Sequence, residues 1–339
     1  MSQEMILLDA GSGGKASQRL ITGLFFKYFS NPMLNSMDDA AILDISGPIA
    51  MSTDSYTVDP LEFPGGNIGT LAVHGTVNDV AMMGAKPMYL SCGFIIEEGL
   101  PVDLLERIVK SMADAARHAG VSIVTGDTKV VPKGACDKLF INTTGIGKII
   151  AATPPQGKNA KPGDAVIISG SMGDHGLTVL SRRDSLNVNN SIASDSASLN
   201  HIIEALVTEV GDIHVLRDPT RGGLATTLNE IAEQSQVVCE IKESAVPVNP
   251  SVKEWCSVLG LDPLYLANEG KLICILPQQK AEQALAVIRR FAEGAGAVQI
   301  GKIDAPAANT RAGQVVLETP LGGRRLLGML EGEQLPRIC

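Results

Sequence analysis

The stretch PVDLLERIVKSMADAARHAGVSIV, residues 101–124, decides the fold class. Pro101 can begin a helix and Gly120 can end one, because proline fits the first turn and glycine fits the left-handed conformation after the last. The apolar run at 121–124 is typical of a buried strand. The apolar residues between these ends recur at helical spacing as one stripe: Leu104, Leu105, Ile108, Val109, Met112 and Ala116. An amphipathic helix that leads into a buried strand indicates an α/β protein.

The same alternation extends outward from this unit. The apolar run at 47–52 predicts a short strand, and residues 67–83 carry apolar side chains at helical spacing. Asn67 suits the N-cap of that helix because its side chain can accept hydrogen bonds from the first free N–H groups, and Gly84 suits its end. On the other side, residues 139–143 predict a further buried strand.

A change of composition divides the chain. The segment TPPQGKNAKPG at 153–163 is dominated by turn formers and marks a domain boundary. The elements predicted beyond it are strands near 165–169, 237–241, 271–276, 298–303 and 314–318, helices near 198–209, 222–234 and 278–292, and an exposed Ser/Asn-rich loop at 184–196. The final EGEQLPRIC shows no periodic pattern and is interpreted as a tail. We predict a two-domain α/β (α+β) chain, with domains over 1–152 and 153–325 and a mobile tail over 326–339.

Composition narrows the class of function. At 339 residues the chain is long enough for two domains that each bury a core. The net charge of −9 and the aromatic content of 4% disfavour a nucleic-acid surface. The start has no basic segment, and no apolar run approaches the roughly 20 residues that span a bilayer, so we expect a cytoplasmic protein that does not enter a membrane. The six cysteines are scattered without a C-x-x-C pair, which disfavours a disulfide framework or a zinc site.

Two glycine-rich segments fail as standard nucleotide loops. In DAGSGGKA, the first glycine of a Walker A loop would fall on Asp9, and Lys15 is followed by Ala16 instead of serine or threonine. The segment GGNIG at 65–69 does not match the dinucleotide-binding fingerprint either. If ATP binds, it binds to another architecture.

Aspartates at predicted element boundaries are the first candidates for a ligand site. Asp79 differs from the others, because it lies inside an otherwise apolar helical segment where an unpaired carboxylate is costly to bury. Strand ends are where α/β proteins place ligands, and Mg²⁺ on a triphosphate prefers oxygen donors. Any one of these aspartates could instead cap a helix or form a turn. The candidates, all beside small or hydroxyl residues, are Asp38, Asp39, Asp54, Asp79 and Asp127.

Further charged residues stand beside predicted strands and helices. Lys129 emerges from the turn GDTK after one predicted strand, and Glu269 precedes another. Either could be an ordinary surface charge. Arg221 and Gly222 open a predicted helix after the turn DPT, so free N–H groups and a guanidinium would meet there as an anion site. His175, in the loop GDHG, is interpreted as structural.

Cys339 ends the predicted tail. Residues 331–339 would reach about 30 Å when extended, which would let a thiol leave one site and visit another. Arg337 would favour the thiolate, whereas the neighbouring terminal carboxylate opposes it. A cysteine at this position could also be accidental, and the prenylation motif, which needs cysteine four residues from the end, is missing.

Nine motifs together resemble one known family. They are GSGG (11–14), STDSY (52–56), FPGGNIG (63–69), NDV (78–80), VTGDTK (124–129), GDHG (173–176), RDPTRGG (217–223), ANEGK (267–271) and PRIC (336–339). The internal motifs resemble the aminoimidazole-ribotide-synthetase-like superfamily and point to ATP handling. The terminal PRIC is more specific and resembles the HypE family of hydrogenase maturation proteins. The resemblance runs essentially from end to end.

The resemblance implies an activity and its partners. Proteins of this family accept a carbamoyl group on the C-terminal cysteine from a HypF-like carbamoyltransferase. They use ATP, with Mg²⁺, to dehydrate the thiocarbamate to a thiocyanate, and the cyanide passes to iron on a HypC–HypD-like scaffold. The family fold implies that the mixed sheet of the N-terminal domain forms the interface of a homodimer and that a flexible tail follows a C-terminal α/β domain.

The resemblance also implies site residues. Cys339 would carry the carbamoyl group, and Lys129 and Glu269 would transfer protons. The implied ATP-binding residues are Asp38, Asp39, Asn78, Asp79, Gly126, Asp127, Arg221 and Gly222, and the implied Mg²⁺ ligands are Asp39, Asp54, Asp79 and Asp127. Relatives often have histidine before the first glycine of GSGG, whereas this chain has Ala10, so no imidazole is available at that position.

Other ATP-using members of the superfamily are the alternatives. Selenophosphate synthetases carry cysteine or selenocysteine near the N-terminal glycine-rich segment, whereas the first cysteine here is Cys92. Thiamine-phosphate kinases have no need of a terminal cysteine. A non-catalytic scaffold that presents the tail to partners would not need the ATP-type motifs. The sequence therefore favours an ATP-dependent carbamoyl dehydratase.

Overall fold

The computed structural model describes residues 4–12, 14–183, 192–308, 310–332 and 337–339. The helices of the N-terminal half are α1 (Gly14–Leu20), α2 (Phe26–Phe29), α3 (Ile68–Met82) and α4 (Val102–Ala119). Its strands are β1 (Ile49–Tyr56), β2 (Glu62–Phe63), β3 (Gly66–Asn67), β4 (Ala85–Glu97), β5 (Ser122–Val131) and β6 (Leu139–Ile149). Asn67 caps α3 and Gly120 ends α4 in a left-handed conformation, both as predicted.

A four-stranded sheet forms the centre of this half, in the order β1-β6-β4-β5. β1 and β4 pair antiparallel with β6, and β4 pairs parallel with β5. α4 makes the crossover that the parallel pair requires, and its apolar stripe packs with α3 in one core. The opposite sheet face is open and carries exposed apolar side chains, among them Ile49, Met51 and Ile95.

Several strands of this half differ from the prediction. β1 and β6 continue past their predicted ends, to Tyr56 and Ile149, and the short β2 and β3 are not predicted. The strand predicted at 121–124 continues to Val131, because β5 pairs with β4 along its whole length. Asp127 and Lys129 therefore lie in a strand, and the predicted turn at this position is wrong. The sequence does not predict β4 at all, since Gly84 and Pro87 resemble a helix end followed by a loop.

The C-terminal half is a second α/β unit. Its strands are β7 (Asp164–Ile168), β8 (Val215–Arg217), β9 (Val238–Lys242), β10 (Ile273–Pro277), β11 (Val298–Asp304), β12 (Gln314–Glu318) and β13 (Arg324–Leu326). Its helices are α5 (Asp174–Ser181), α6 (Asn200–Ala205), α7 (Gly223–Ser235), α8 (Pro250–Leu259) and α9 (Ala281–Ile288). The predicted strands are confirmed within about two residues, whereas α5 and α8 were not predicted.

The seven strands form one sheet in the order β13-β12-β9-β11-β7-β10-β8. β7 lies inside it and is buried along its whole length, which explains its continuous apolar sequence. Val166 and Ile168 belong to a core with α7, while Ala165 and Ile167 face a second core with α6 and α9. The sheet therefore separates two helical layers.

Residues 192–199, which we call the junction loop, join the two halves. His74 of α3 bonds to Ser196 (2.9 Å), and Asn78 bonds through both ends of its amide to the backbone of Ala197 and Leu199 (3.0 and 2.7 Å). The remainder of the predicted loop at 184–196 lies outside the described residues.

The end of the chain returns to the N-terminal half. Ile338 is 4% exposed within the N-terminal core, and the Cys339 carbonyl accepts a hydrogen bond from the Thr57 N–H (3.0 Å). Residues 333–336 of the predicted tail lie outside the described residues, as does Gly13 of the GSGG motif. The last three residues are packed in this structure, because Ile338 supplies an apolar anchor that the sequence pattern did not reveal.

Candidate active site

A cavity of about 350 Å³ lies between the two halves. We call it the acidic cavity, because five carboxylates line it against two guanidinium groups. The charged residues and the thiol that line it are Asp54, Asp79, Asp218, Glu230, Glu269, Arg217, Arg221 and Cys339. A surplus of carboxylates around one space attracts cations and, through them, phosphate groups.

β1 and α3 supply the N-terminal wall. Ser52 donates a hydrogen bond to Asp79 (2.7 Å), and the buried Tyr56 hydroxyl lies 3.5 Å from the carboxylate of Asp54. Desolvation, and then the charge of Asp79, raise the pKa of Asp54 to about 6. A side chain at Gly75 would place its Cβ 2.4 Å from the Tyr56 hydroxyl, so only glycine lets α3 approach β1 this closely.

The C-terminal wall holds the most deeply buried acid. Glu269 is 4% exposed, and its Oε1 has no hydrogen-bond partner among the described residues. The Asp195 carboxylate accepts the N–H groups of Glu269 and Gly270 (3.2 and 3.3 Å), which fixes the backbone at this point. Desolvation raises the pKa of Glu269 well above its usual range, and the pKa of Asp218 rises to about 7 for the same reason. Both carboxyl groups are therefore poised to hold a proton.

Cys339 reaches this cavity from the other side. Its thiol lines both the acidic cavity and a neighbouring space of about 470 Å³, which we call the tail cavity. Arg221 also lines both spaces. Desolvation, and then the charge of Glu269, raise the pKa of the Cys339 thiol to about 12, so the resting group is protonated.

A third cavity, of about 400 Å³, lies in the N-terminal half beside β5. We call it the apolar cavity, since Phe25, Phe29 and Phe94 line its interior. Its polar lining includes Asp38, Gly126, Asp127 and Lys129. The Lys129 ammonium lies 2.7 Å from both carboxylate oxygens of Asp127, and this contact holds the pKa of Asp127 below its usual value.

The structure divides the predicted site residues into groups. Asp54, Asp79, Arg221, Glu269 and Cys339 line the acidic cavity, and Gly222 lines the tail cavity beside it. Asp38, Gly126, Asp127 and Lys129 line the apolar cavity. Asp39 is exposed and lines none of the three. Asn78 is buried and lines none of the three cavities. Its side-chain amide instead forms hydrogen bonds with the backbone of the junction loop.

Lys129 and Glu269 do not meet within the chain. Lys129 pairs with Ile95 on the open face of the sheet, at the β5 edge. Asp54 lies at the opposite edge, on the face that α3 covers. Strands are spaced about 4.8 Å apart, so three strand intervals separate the two edges by roughly 14 Å.

The predicted metal ligands are likewise dispersed. Among the described residues, no three His, Cys, Asp or Glu side chains converge as a ready metal site. Asp54 and Asp79 alone of the four predicted ligands share a cavity. A divalent ion on such a pair would need further oxygen donors, which phosphate groups supply in nucleotide sites.

Two residues near the acidic cavity have contacts that the sequence alone does not predict. Asp195 carries no sequence signal, because its effect on Glu269 depends on a contact between residues far apart in the chain. His175 was predicted in a loop but lies in α5, fully buried, with its ring bonded to the tail. The GDHG motif marked this position, but only the fold shows what the imidazole contacts.

Comparison with known proteins decides the family. AIR synthase related protein, N-terminal domain, matches residues 37–149, and the corresponding C-terminal domain matches residues 161–311. The carbamoyl dehydratase HypE of Azotobacter vinelandii is 51% identical over 330 residues, which cover 97% of this chain and 96% of that protein. The chain belongs to the HypE family of carbamoyl dehydratases.

Solved HypE structures share the whole architecture. A crystal structure of HypE in complex with ATP is 68% identical, covers 98% of this chain and 99% of that one, and superposes with a TM-score of 0.96. The HypE of a HypE–HypF complex is 49% identical over 92% of this chain and 99% of that one, with a TM-score of 0.80. In the part of this chain that the structure describes, no helix has the length and apolar character that crossing a membrane needs.

Proposed function

We propose that this chain, in the maturation of a hydrogenase, uses ATP to dehydrate an S-carbamoyl group on Cys339 to a thiocyanate. The observation that carries the proposal is the position of the Cys339 thiol, which lines the same cavity as Asp54, Asp79 and Glu269. A group bound to sulfur there would meet carboxylates able to accept protons and to bind the cation of a nucleotide. The thiol, the acid and the anion-binding Arg221 are thus together before any substrate arrives.

The chemistry needs one activation and two proton losses. The γ-phosphoryl group of ATP transfers to the carbamoyl oxygen, which makes that oxygen a good leaving group and releases ADP. The nitrogen then loses its two protons as the carbon–oxygen bond breaks, and phosphate departs with the former carbonyl oxygen. The sulfur retains a cyano group. Carboxyl groups in a desolvated cavity suit the proton transfers, since burial raises the pKa of Asp54 to about 6 and the pKa of Asp218 to about 7.

Mg²⁺ fits the acidic cavity as the partner of ATP. Asp54 and Asp79 would hold it, and the unpartnered Oε1 of the buried Glu269 shows that this wall still has capacity for a donor or cation. When bound, the ion would neutralise phosphate charge during phosphoryl transfer. Arg221, which lines the same cavity, would bind a phosphate oxygen directly.

We also propose that the working unit is a homodimer. Lys129, on the open sheet face at the β5 edge, lines the apolar cavity and not the acidic or tail cavity that Cys339 lines. Ser55, on the same open face at the β1 edge, lines both the acidic and the tail cavity. If the open face of a second copy covers the open face of the first, the β5 edge of the second can lie over β1 of the first. Lys129 and the apolar cavity of the second copy then come beside the acidic cavity of the first. The purine of ATP would occupy the apolar cavity of one copy, and its phosphates would reach the acidic cavity of the other.

The partners follow from the same reaction. A HypF-like carbamoyltransferase would load Cys339, and a HypC–HypD-like iron scaffold would receive the cyano group. A relative of the chain forms a HypE–HypF complex, which supports the first of these assignments. The acceptor must be an electron-rich metal centre, because transfer of cyanide from sulfur leaves the free thiol only when the acceptor supplies electrons.

Intact-mass analysis tests the proposed function. After incubation with carbamoyl phosphate, a HypF-like transferase and ATP, the wild-type chain should gain one carbamoyl group and then lose one water. Cys339→Ala should gain no adduct, while Cys136→Ser, a matched change at another partly exposed cysteine, should react like the wild type. An adduct on Cys339→Ala that still loses water would overturn the assignment of the carrier.

A further inference from the structure

The ring of His175 contacts the tail at one defined point. The imidazole is fully buried at the start of α5, and its Nε2 lies 2.8 Å from the carbonyl oxygen of Ile338, the residue before Cys339. A carbonyl oxygen only accepts, so Nε2 carries the hydrogen. Burial lowers the pKa of His175, which leaves the ring neutral and makes Nδ1 an acceptor.

The junction loop contacts the other ring nitrogen. Nδ1 lies 2.8 Å from the hydroxyl of Ser194, and that hydroxyl also accepts the N–H of Ser196 (3.1 Å). Because the Ile338 carbonyl requires the hydrogen on Nε2, the Ser194 hydroxyl donates to Nδ1 and stabilises the ring in this tautomer and position. The edge of Phe63 packs against the ring at a centroid distance of 5.5 Å, which fixes the plane of the imidazole.

We propose that His175 is a positioning residue, which holds Cys339 in the acidic cavity by donating a hydrogen bond to the carbonyl of Ile338, while the Ser194 hydroxyl holds the ring from its other nitrogen. The other bonds of the tail do not replace it. The Cys339 carbonyl accepts from the Thr57 backbone, and Arg337 bonds the Thr57 carbonyl and Asp137, which lie nearer the surface. His175 is the buried contact, so its loss costs more than the loss of an exposed one.

The inference predicts opposite effects on two processes. A tail released from His175 exposes the thiol more often, so reagents and a loading partner gain access to it. The same release leaves the thiol in the acidic cavity for less of the time, so dehydration slows. A role limited to the stability of α5 would not speed up one process while it slows the other.

The first experiment measures the rate at which iodoacetamide alkylates Cys339, with Cys136→Ser in every variant so that Cys339 alone remains outside the buried cysteines. His175→Phe should react about tenfold faster, which corresponds to about 1.4 kcal/mol in the population of the docked tail. His175→Gln, whose amide can still donate to Ile338, should stay within about twofold of the wild type. Thr57→Val removes only a weak 3.4 Å hydroxyl contact to the tail and should behave like the wild type.

Each alternative result bears on the proposal. An unchanged alkylation rate in a folded His175→Phe, with a wild-type circular dichroism spectrum, would overturn it. If His175→Phe does not fold, Ser194→Ala provides the test, and we expect it to accelerate alkylation about threefold because the ring loses the hydrogen bond that holds it in position against Ile338. An unchanged rate in that variant would also overturn the proposal.

The second experiment measures dehydration of the loaded chain, and only this one rests on the proposed function. His175→Phe should lower the single-turnover rate with ATP, while loading of Cys339 by the transferase is unchanged or faster. If even the wild type loses no water, the proposed function fails, while the alkylation result still decides the role of His175. A fall in both loading and dehydration would indicate a general loss of structure and overturn the positioning role.

Discussion

Glu269 shows how one residue acquires its reactivity from burial. Its carboxyl group is almost fully buried. Desolvation, and then the negative charges of Asp218 and Asp195, raise the pKa of Glu269, so the group favours the protonated form. A carboxyl group in this condition can release its proton when a cation binds beside it, and the carboxylate can then take a proton from a substrate nitrogen. The same group on the surface would be ionised at neutral pH and a much weaker base.

We therefore expect Glu269→Gln to separate binding from chemistry. Glutamine has the shape of the protonated acid, so the variant should fold and bind ATP normally, but it cannot accept the proton. Dehydration of the carbamoylated chain should slow by about 100-fold or more, within the range for loss of a general base. Asp218→Asn at the same wall is the comparison. Rapid thiocyanate formation by Glu269→Gln would remove this residue from the proton-transfer steps.

At the scale of elements, α3 carries much of the site. The helix places Asp79 in the acidic cavity, and Asn78 on a neighbouring face ties it to the junction loop. Asn67 caps the start of the helix. Its side-chain oxygen accepts hydrogen bonds from the N–H groups of Gly69 and Thr70, and its side-chain NH₂ group donates to the hydroxyl of Ser111 in α4 (2.8 Å). The cap thus links the two helices that cover the sheet.

Loss of this cap should cost stability more than function. Asn67→Ala should lower the free energy of unfolding by about 1–2 kcal/mol, at the upper end for an N-cap, because the tie to α4 is lost too. Asn249→Ala, which removes the exposed cap of α8, is the matched control and should cost about 0.5–1 kcal/mol. Urea unfolding gives both values. Equal losses would show that the contact with Ser111 contributes nothing.

Elements with a strong local signal could be predicted from the sequence. α4 has a stripe and two end signals, and α3 has a cap, so both appear with correct ends. β4 and the continuation of β5 could not be predicted, because β4 forms through pairing with β5 and β6, and the end of β5 forms through pairing with β4. The short α5 and α8 likewise depend on tertiary packing, since few turns give little periodicity.

The same contrast between local signals and tertiary contacts holds for the candidate site. Single residues with chemical character, such as Cys339, Glu269 and Asp79, could be singled out from their motifs, and all three line one cavity. Their neighbours could not be inferred. The Asp195 carboxylate and the His175 imidazole act through backbone groups 75 or more residues away, and no local pattern encodes such contacts.

At the scale of the whole molecule, the separation of Lys129 from Glu269 predicts complementation between chains. Lys129→Ala and Cys339→Ala should each be inactive alone in the water-loss assay. Mixed and allowed to exchange, they form heterodimers in which the intact Cys339 of one chain meets the intact Lys129 of the other. About half the dimers would be mixed and each would hold one working site, so about a quarter of the wild-type yield should return.

The same mixture tests the opposite arrangement. If Lys129 acts within its own chain, no site in any heterodimer is complete and the mixture stays inactive. The same two variants, mixed and assayed before their subunits can exchange, serve as the control for subunit exchange. Recovery without exchange would point to contact between separate dimers and contradict the proposed interface.

The position of Cys339 in a cavity of its own chain has a consequence for the rate law of the proposed dehydration. A free substrate reaches an enzyme at a rate that rises with its concentration. In the proposed reaction, a group on Cys339 would be delivered by the chain that carries it and would have no concentration in the ordinary sense. Dehydration should therefore be first order in loaded chain, with no Michaelis constant for the carbamoyl group. ATP alone can be saturating. Turnover would then depend on how often the chain is loaded and unloaded. Each copy would process one carbamoyl group between successive encounters with its partners.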